Sequence, residues 1–244
     1  MDESEPRRRN WLLNSIEAEV RRGFADQIRP VELQKGQVLL RQGDEVEAVY
    51  FPEGALIGLI SATPSGEAVQ TAMVGWDGAL GVFEACGSRK SAFLAEVQIP
   101  GSAWRMNARA YRDLFGASDA LRTHVHKYIE LLLTEARQHV ACNALHSVES
   151  RLSRSILEAL ERSRDGRVLP VTKDVLAEMI GVQRTTASSS VAGLERAGVL
   201  KNSRGAIEVC DKAALEQAAC SCREAIQAAR REIYGAGEEV CEGA

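Results

Sequence analysis

The sequence predicts an α+β chain in three parts: an N-terminal antiparallel β-roll or jelly roll, one long helix, and a C-terminal unit of short helices closed by two short strands. Three observations carry this prediction. Between Val31 and Arg105, short runs rich in Val, Leu, Ile and aromatic residues alternate with glycines, the pattern of brief strands joined by tight turns. From Ser118 to about Asn143, apolar residues recur at helical spacing with no breaker. From Thr172 to Leu200, two shorter helical patterns flank a glycine.

Bulk properties bound the reading. With 244 residues, 45% of them hydrophobic, the chain is long enough for two domains with proper cores. No apolar run approaches the ~20 residues of a membrane span. Arg7-Arg8-Arg9 is not followed by the apolar core of a secretory signal, so a cytoplasmic location without a membrane partner is expected. The formal net charge is -4, yet residues 150–212 hold eleven Lys/Arg against eight Asp/Glu. A polyanion would therefore be met by this region rather than by the rest of the chain. The six cysteines (Cys86, Cys142, Cys210, Cys220, Cys222, Cys241) lack paired spacings and read as reduced thiols. Cys220-x-Cys222 falls in a helical run, where positions i and i+2 point to different sides, so small core-facing or surface residues are expected there rather than a metal site.

In chain order, the charged residues 1–10 with Pro6 read as a loose end, and Trp11 to Ile28 as a short helical stretch. The expected strands are Val38 to Leu40, Ala48 to Phe51, Leu56 to Ile60, Ala68 to Met73, Phe93 to Gln98 and Ser102 to Trp104. Asn107 to Phe115 reads as a short helix. In the long helix, Leu121, Val125, Tyr128, Leu132, Glu135, His139 and Cys142 alternate steps of four and three, which predicts a coiled-coil seam between two copies. Val148 to Ser163 is a further amphipathic helix, and Arg164-Asp165-Gly166-Arg167 a turn. The expected domains are 1–116 for the β-roll, 117–146 for the dimerisation helix, and 147–244 for the C-terminal unit with its helical tail, Asp211 to Tyr234, and a frayed end from Gly235.

The C-terminal unit carries the most specific signal. Thr172 and Asp174 suit the start of a helix, and Gly181 its left-handed end. The next helix, roughly Gln183 to Ala197, puts Ala187, Val191 and Leu194 on one side. Its other side collects Arg184, Thr185, Ser188, Ser189 and Arg196. Thr and Ser are poor helix formers, but short hydroxyls let a helix approach phosphates and base edges closely, and arginine can bridge a guanine. After Gly198, Val199 to Lys201 and Ala206 to Val209 read as strands joined by Asn202-Ser203-Arg204-Gly205. Together these features predict a winged helix-turn-helix that reads double-stranded DNA through Thr172, Gln183, Arg184, Thr185, Ser188, Ser189 and Arg204.

Catalysis is not expected. All four histidines (His124, His126, His139, His146) lie beyond the strand region, and neither a Ser/His/Asp set nor a phosphate-cradling loop is present. No cofactor or metal is called for. His139, Cys142 and His146 lie along one helix side and provide an alternative, a redox- or metal-responsive regulator, but no second ligand-bearing segment is evident. A ligand-binding or interaction protein that does not bind DNA is the other alternative.

Across nearly the whole chain, a glycine-punctuated roll, a long helix and a winged head resemble the Crp/Fnr family of bacterial transcription regulators. The match is most specific over Leu176 to Val209, LAEMIGVQRTTASSSVAGLERAGVLKNSRGAIEV. A second stretch, GALGVFEACGSRKSA from Gly78 to Ala92, resembles the phosphate-binding cassette of cyclic-nucleotide regulators. The resemblance implies a homodimer reading a two-fold symmetric promoter site, RNA polymerase as a partner, and Arg184, Thr185 and Ser189 as residues that touch bases or phosphates. It also implies an effector pocket at Ala79, Leu80, Gly81, Arg89 and Ser91. Ala79 stands where the cyclic-nucleotide pattern has a ribose-binding glutamate, and a methyl group accepts no hydrogen bond. The expected small-molecule effector is therefore not cyclic AMP.

Overall fold

The structure is a computed structural model in which residues 10–163 and 166–235 are described. The charged start through residue 9, the Arg164-Asp165 pair of the expected turn, and the end from residue 236 with Cys241 lie outside them. The architecture is the predicted one. A roll of two antiparallel sheets leads into a 27-residue helix and a helical head with its own small sheet.

One sheet of the roll has the order β1-β7-β3, with β1 at Ile28–Leu33, β3 at Ala48–Pro52 and β7 at Gly101–Asn107. The other runs β2-β6-β4-β5, with β2 at Val38–Leu40, β4 at Leu56–Ala62, β5 at Ala68–Val74 and β6 at Leu94–Ile99. Val49, Phe51, Ile57, Ala95 and Val97 are fully buried between them. Strand β1 lies outside the expected strands, and its Pro30 lacks a backbone donor, which disfavours pairing on both sides. It is tolerated because β1 is an edge, where Pro30 faces Trp104 on a single neighbour.

The stretch Trp11 to Ile28 is not one helix but α1 (Trp11–Asn14), α2 (Ala18–Gly23) and a 3₁₀ turn (Ala25–Gln27). Trp11, Leu12, Leu13 and Ile16 are all buried, and three consecutive apolar residues cannot share one face of a longer amphipathic helix. Asn10 fixes the entry, since its Nδ2 donates to the carbonyls of Pro52 and Gly78 at 2.9 and 2.8 Å.

Helix α3 (Ala108–Ala117) leads to α4 (Asp119–Leu145), which starts at a Ser118 cap whose Oγ accepts from Leu121 N at 3.0 Å. The expected intersubunit seam on α4 needs correction: Leu121, Val125, Tyr128, Glu135 and Cys142 are buried within their own chain. Gly78 permits the contact, because a Cβ there would come within 2.4 Å of Cζ of the Tyr128 ring. Periodicity shows that a helix face is covered but not which body covers it. The apolar residues that α4 leaves exposed lie elsewhere: Leu133 at 51%, Val140 at 71% and Leu145 at 78% exposure.

After His146, helix α5 (Val148–Arg162) opens the head, capped by Ser147. Strand β8 (Val168–Leu169), helices α6 (Lys173–Ile180) and α7 (Arg184–Arg196), and strands β9 (Leu200–Ser203) and β10 (Ala206–Val209) complete the winged unit, with sheet order β8-β10-β9. Helices α8 (Lys212–Ala218) and α9 (Cys222–Tyr234) follow, and α9 packs back along α4. Tyr234 stacks on Trp11 with ring centroids 3.8 Å apart, bringing both ends of the described chain together.

Roll and head are joined by apolar packing, since Leu56, Met73 and Ile99 of the roll share one cluster with Leu152, Met179 and Ile180. Polar bridges add to it: Trp76 Nε1 donates to Glu161 O at 2.9 Å and Lys35 Nζ to Pro170 O at 2.5 Å. No helix among the described residues is long and apolar enough to cross a membrane.

Candidate nucleic-acid interface

The turn between α6 and α7 is set by backbone chemistry. Thr172 Oγ1 accepts from Val175 N at 3.3 Å and caps α6, so this hydroxyl is already engaged. Gly181 closes α6 at φ 64°, and its ideal Cβ would also meet Val69 Cγ2 of β5 at 2.9 Å. Glycine serves there twice, for the left-handed turn and for the close approach of the roll. Half-buried Val182 then packs into the head core.

Helix α7 divides as its pattern demands. Ala187 and Val191 are fully buried and Leu194 is 3% exposed, which anchors the helix on α5 and α6. Gln183, Arg184, Thr185, Ser189 and Arg196 are exposed, and Ser188 is half-buried at the edge. The exposed Thr186 extends this face and was not singled out from the sequence. Arg184 Nε lies 3.3 Å from Asp174 Oδ1, with both side chains more than half exposed. Such a pair is worth at most about 1 kcal/mol, so the guanidinium can leave it for a stronger anion. Arg204 is exposed at the wing tip, and Glu195 Oε1 holds the wing to α7 by accepting from Asn202 N at 2.8 Å.

The positive surplus of the head is not all surface charge. Arg151, Arg154 and Arg162 are buried and committed internally. Arg151 Nη1 donates to Asn143 Oδ1 at 2.8 Å and to the Ile180 carbonyl at 3.0 Å, tying α5 to the ends of α4 and α6. Arg154 binds Glu158 at 2.6 Å. The outward cations of the head include Arg184, Arg196, Lys201 and Arg204.

The cassette residues do not gather around the cleft of the roll that Tyr50 and Arg105 line. Ala79 and Leu80 are buried, and Leu80 pairs through its backbone with Tyr50. Gly81 adopts φ 85° against Ala48, Arg89 is exposed with φ 62°, and the Ser91 hydroxyl donates to Phe93 O at 2.7 Å. The cleft, about 340 Å³, is lined by Leu39, Asp44, Glu45, Glu47, Tyr50 and Arg105 among others. Three carboxylates against one guanidinium make a poor site for a phosphodiester.

The alternative cluster of His139, Cys142 and His146 is not brought together as expected. His139 Nε2 lies 2.8 Å from Arg154 Nη1 and 3.7 Å from Glu158 Oε2 and so belongs to the α5 ion network. Cys142 and His146 instead meet Cys220 and Cys222, the second segment that sequence reasoning missed. Cys220 precedes α9 rather than lying within it, so the i and i+2 positions face one point. Burial and the neighbouring Cys220 push the Cys142 thiol up to about 12, which makes it a poor nucleophile.

A roll, a long helix and a winged helix-turn-helix head with an outward polar helix make up the fold. Residues 150–218 match the family model of the Crp-like helix-turn-helix domain. Among solved structures, the chain is similar to TTHB099, a CRP-family transcriptional regulator from Thermus thermophilus, at 18% identity and TM-score 0.66, covering 78% of this chain and 96% of that one. It is similar to TTHA1359, a CRP/FNR-family regulator from the same organism, at 22% identity and TM-score 0.63, covering 78% and 98%. The c-di-GMP-responsive global regulator CLP from Xanthomonas campestris aligns at 15% identity and TM-score 0.64, covering 80% and 100%. No curated protein sequence matches the chain. In fold and in its head domain, the chain is of the Crp/Fnr type.

Proposed function

We propose that this chain is a homodimeric transcription regulator that reads a two-fold symmetric duplex site, one half-site per α7. The observation that carries this is the division of α7: Ala187, Val191 and Leu194 are spent on the head core, while Arg184, Thr185 and Ser189 stand outward. In this reading Gln183, Arg184, Thr185, Ser188 and Ser189 meet base edges and nearby phosphates, and Thr172 and Arg204 flank them on the backbone.

The second copy is expected on the face of α4 that its own chain leaves uncovered. Half-buried Ile129 and exposed Leu133, Ala136 and Val140 recur at steps of four, three and four, the spacing of a two-helix seam. This replaces the seam expected from the sequence and keeps the two-fold symmetry a palindromic site requires.

The roll is proposed as the sensor, with an effector other than cyclic AMP. The buried methyl group of Ala79 and the acidic lining of the cleft support that exclusion. RNA polymerase is the partner expected of a regulator of this type, and no catalytic role is proposed.

The test is a gel shift with promoter fragments over a salt series. Phosphate contacts release counterions, so affinity should fall steeply and log-linearly with salt. Binding that is absent, or insensitive to salt, overturns the DNA reading in favour of an interaction module.

A further inference from the structure

Helix α4 ends at Leu145, His146 is its C-cap, and Ser147 caps α5, so His146 sits on the joint between the long helix and the head. Cys142 lies one turn earlier. Facing them is the short link between α8 and α9, where Cys220 N donates to Ser150 O of α5 at 3.3 Å and Cys222 begins α9. The three sulfurs and a ring nitrogen of His146 all lie within 4.8 Å of one another. Cys142 Sγ is 3.4 Å from Cys220 Sγ, and Cys222 Sγ is 3.4 Å from His146 Nδ1.

These separations suit a single small ion. A tetrahedral zinc site with bonds of about 2.3 Å to sulfur and about 2.0 Å to nitrogen has donor–donor edges of roughly 3.5 to 3.8 Å. Moving the four donors onto such a frame takes side-chain adjustments of tenths of an ångström to about an ångström. A polynuclear iron–sulfur cluster needs its thiolates further apart, because the cluster's own atoms stand between them.

Simple core filling accounts for the cluster poorly. Cys142, Cys220 and Cys222 are 0%, 7% and 2% exposed and form a group of their own, separate from both large apolar clusters. The surroundings also suit bound thiolates. Gln138 Nε2 donates to Cys222 Sγ at 3.1 Å, and the buried Arg154 guanidinium interacts electrostatically with Cys142 and Cys220. Three thiolates around a divalent ion leave one net negative charge, and the guanidinium of the Arg154–Glu158 pair lies on its side of the cluster.

We propose that Cys142, His146, Cys220 and Cys222 bind one Zn²⁺ ion that clamps the α4–α5 joint to the C-terminal helices. Binding releases three thiol protons to solvent, and His146 ligates through Nδ1 with its proton on Nε2. All four positions are protein donors, so the site is closed and structural rather than catalytic. Through the clamp, metal occupancy sets the placement of the heads, a consequence that rests on the DNA-binding reading above.

The test uses the full chain, stripped with a chelator under reducing conditions and titrated with Co²⁺. The expected result is one equivalent bound, with thiolate-to-cobalt charge transfer in the near ultraviolet, the intense visible bands of a tetrahedral ion, and displacement by Zn²⁺. Cys86→Ser with Cys210→Ser should keep this spectrum, and Cys142→Ser with Cys222→Ser should lose it. Weak octahedral bands, no stoichiometric binding by the wild-type chain, or an unchanged spectrum in the second variant overturns the site. Duplex affinity should fall about tenfold or more when the metal is removed. Equal duplex affinity with and without metal overturns the clamp, whereas no duplex binding in either state, beside a normal Co²⁺ spectrum, overturns the DNA reading and leaves the metal site standing.

Discussion

Arg162, at the last turn of α5, places its Nε 2.9 Å from Oδ2 of Asp77, a residue 85 positions earlier in the roll. Its Nη2 lies 2.7 Å from Glu135 Oε1 on α4, and Arg230 of α9 reaches both carboxylates at 3.0 Å. Roll, long helix, head and tail thus converge on one buried four-charge cluster. Replacing Arg162 with Ala leaves two buried carboxylates sharing one cation, and should cost about 3 to 5 kcal/mol of stability in urea unfolding. A loss below about 1 kcal/mol would mean that the cluster is not desolvated in solution.

Acid should weaken the same junction. Burial alone would raise the Asp77 carboxyl, but Arg162 and Arg230 hold it below its ordinary value, so the unfolded chain takes up the proton first. Glu158 behaves alike and is held down to about 2: burial opposes this, and the His139 ring and Arg154 guanidinium outweigh it. The stabilisation from both groups is complete above the ordinary carboxylate range of about 4 and is lost as pH falls below it. Thermal melts from about pH 6 to about pH 3 should show Tm falling mainly at the acid end, and a Tm that rises on acidification would contradict the assignment.

Arg184→Ala should weaken specific duplex binding by about 1 to 3 kcal/mol. The Arg184–Asp174 pair is exposed, so folding stability should hardly change. Titration of a labelled operator beside a melting curve separates the two effects. Equal affinity for the cognate site would remove Arg184 from the interface.

The two stripes of α4 give opposite expectations. Val140→Glu or Leu133→Glu places a charge on an exposed position and should yield a folded monomer by analytical ultracentrifugation. Tyr128→Ala empties a buried site beside Gly78 and should lower stability by about 3 to 5 kcal/mol, with dimerisation affected only through unfolding. A dimer that survives Val140→Glu would place the contact elsewhere.

Local chemistry made much of this legible in one dimension. Thr172, Gly181 and the Ala187, Val191, Leu194 spacing determined the helix-turn-helix, because caps, left-handed glycines and helical periods act within a few residues. Glycine spacing likewise determined the roll, apart from the edge strand β1, which lies outside the expected strands. The tertiary structure decided matters in which distant residues compete for one surface. It gave the Leu121, Val125, Tyr128 face of α4 to its own chain and left Leu133 and Val140 outside. It turned Arg151, Arg154 and Arg162 inward, and it carried Cys220 and Cys222 back 78 and 76 positions to meet Cys142 and His146. Periodicity records that a side chain is covered and charge counts record that cations exist, but their partners are fixed only when the chain closes on itself.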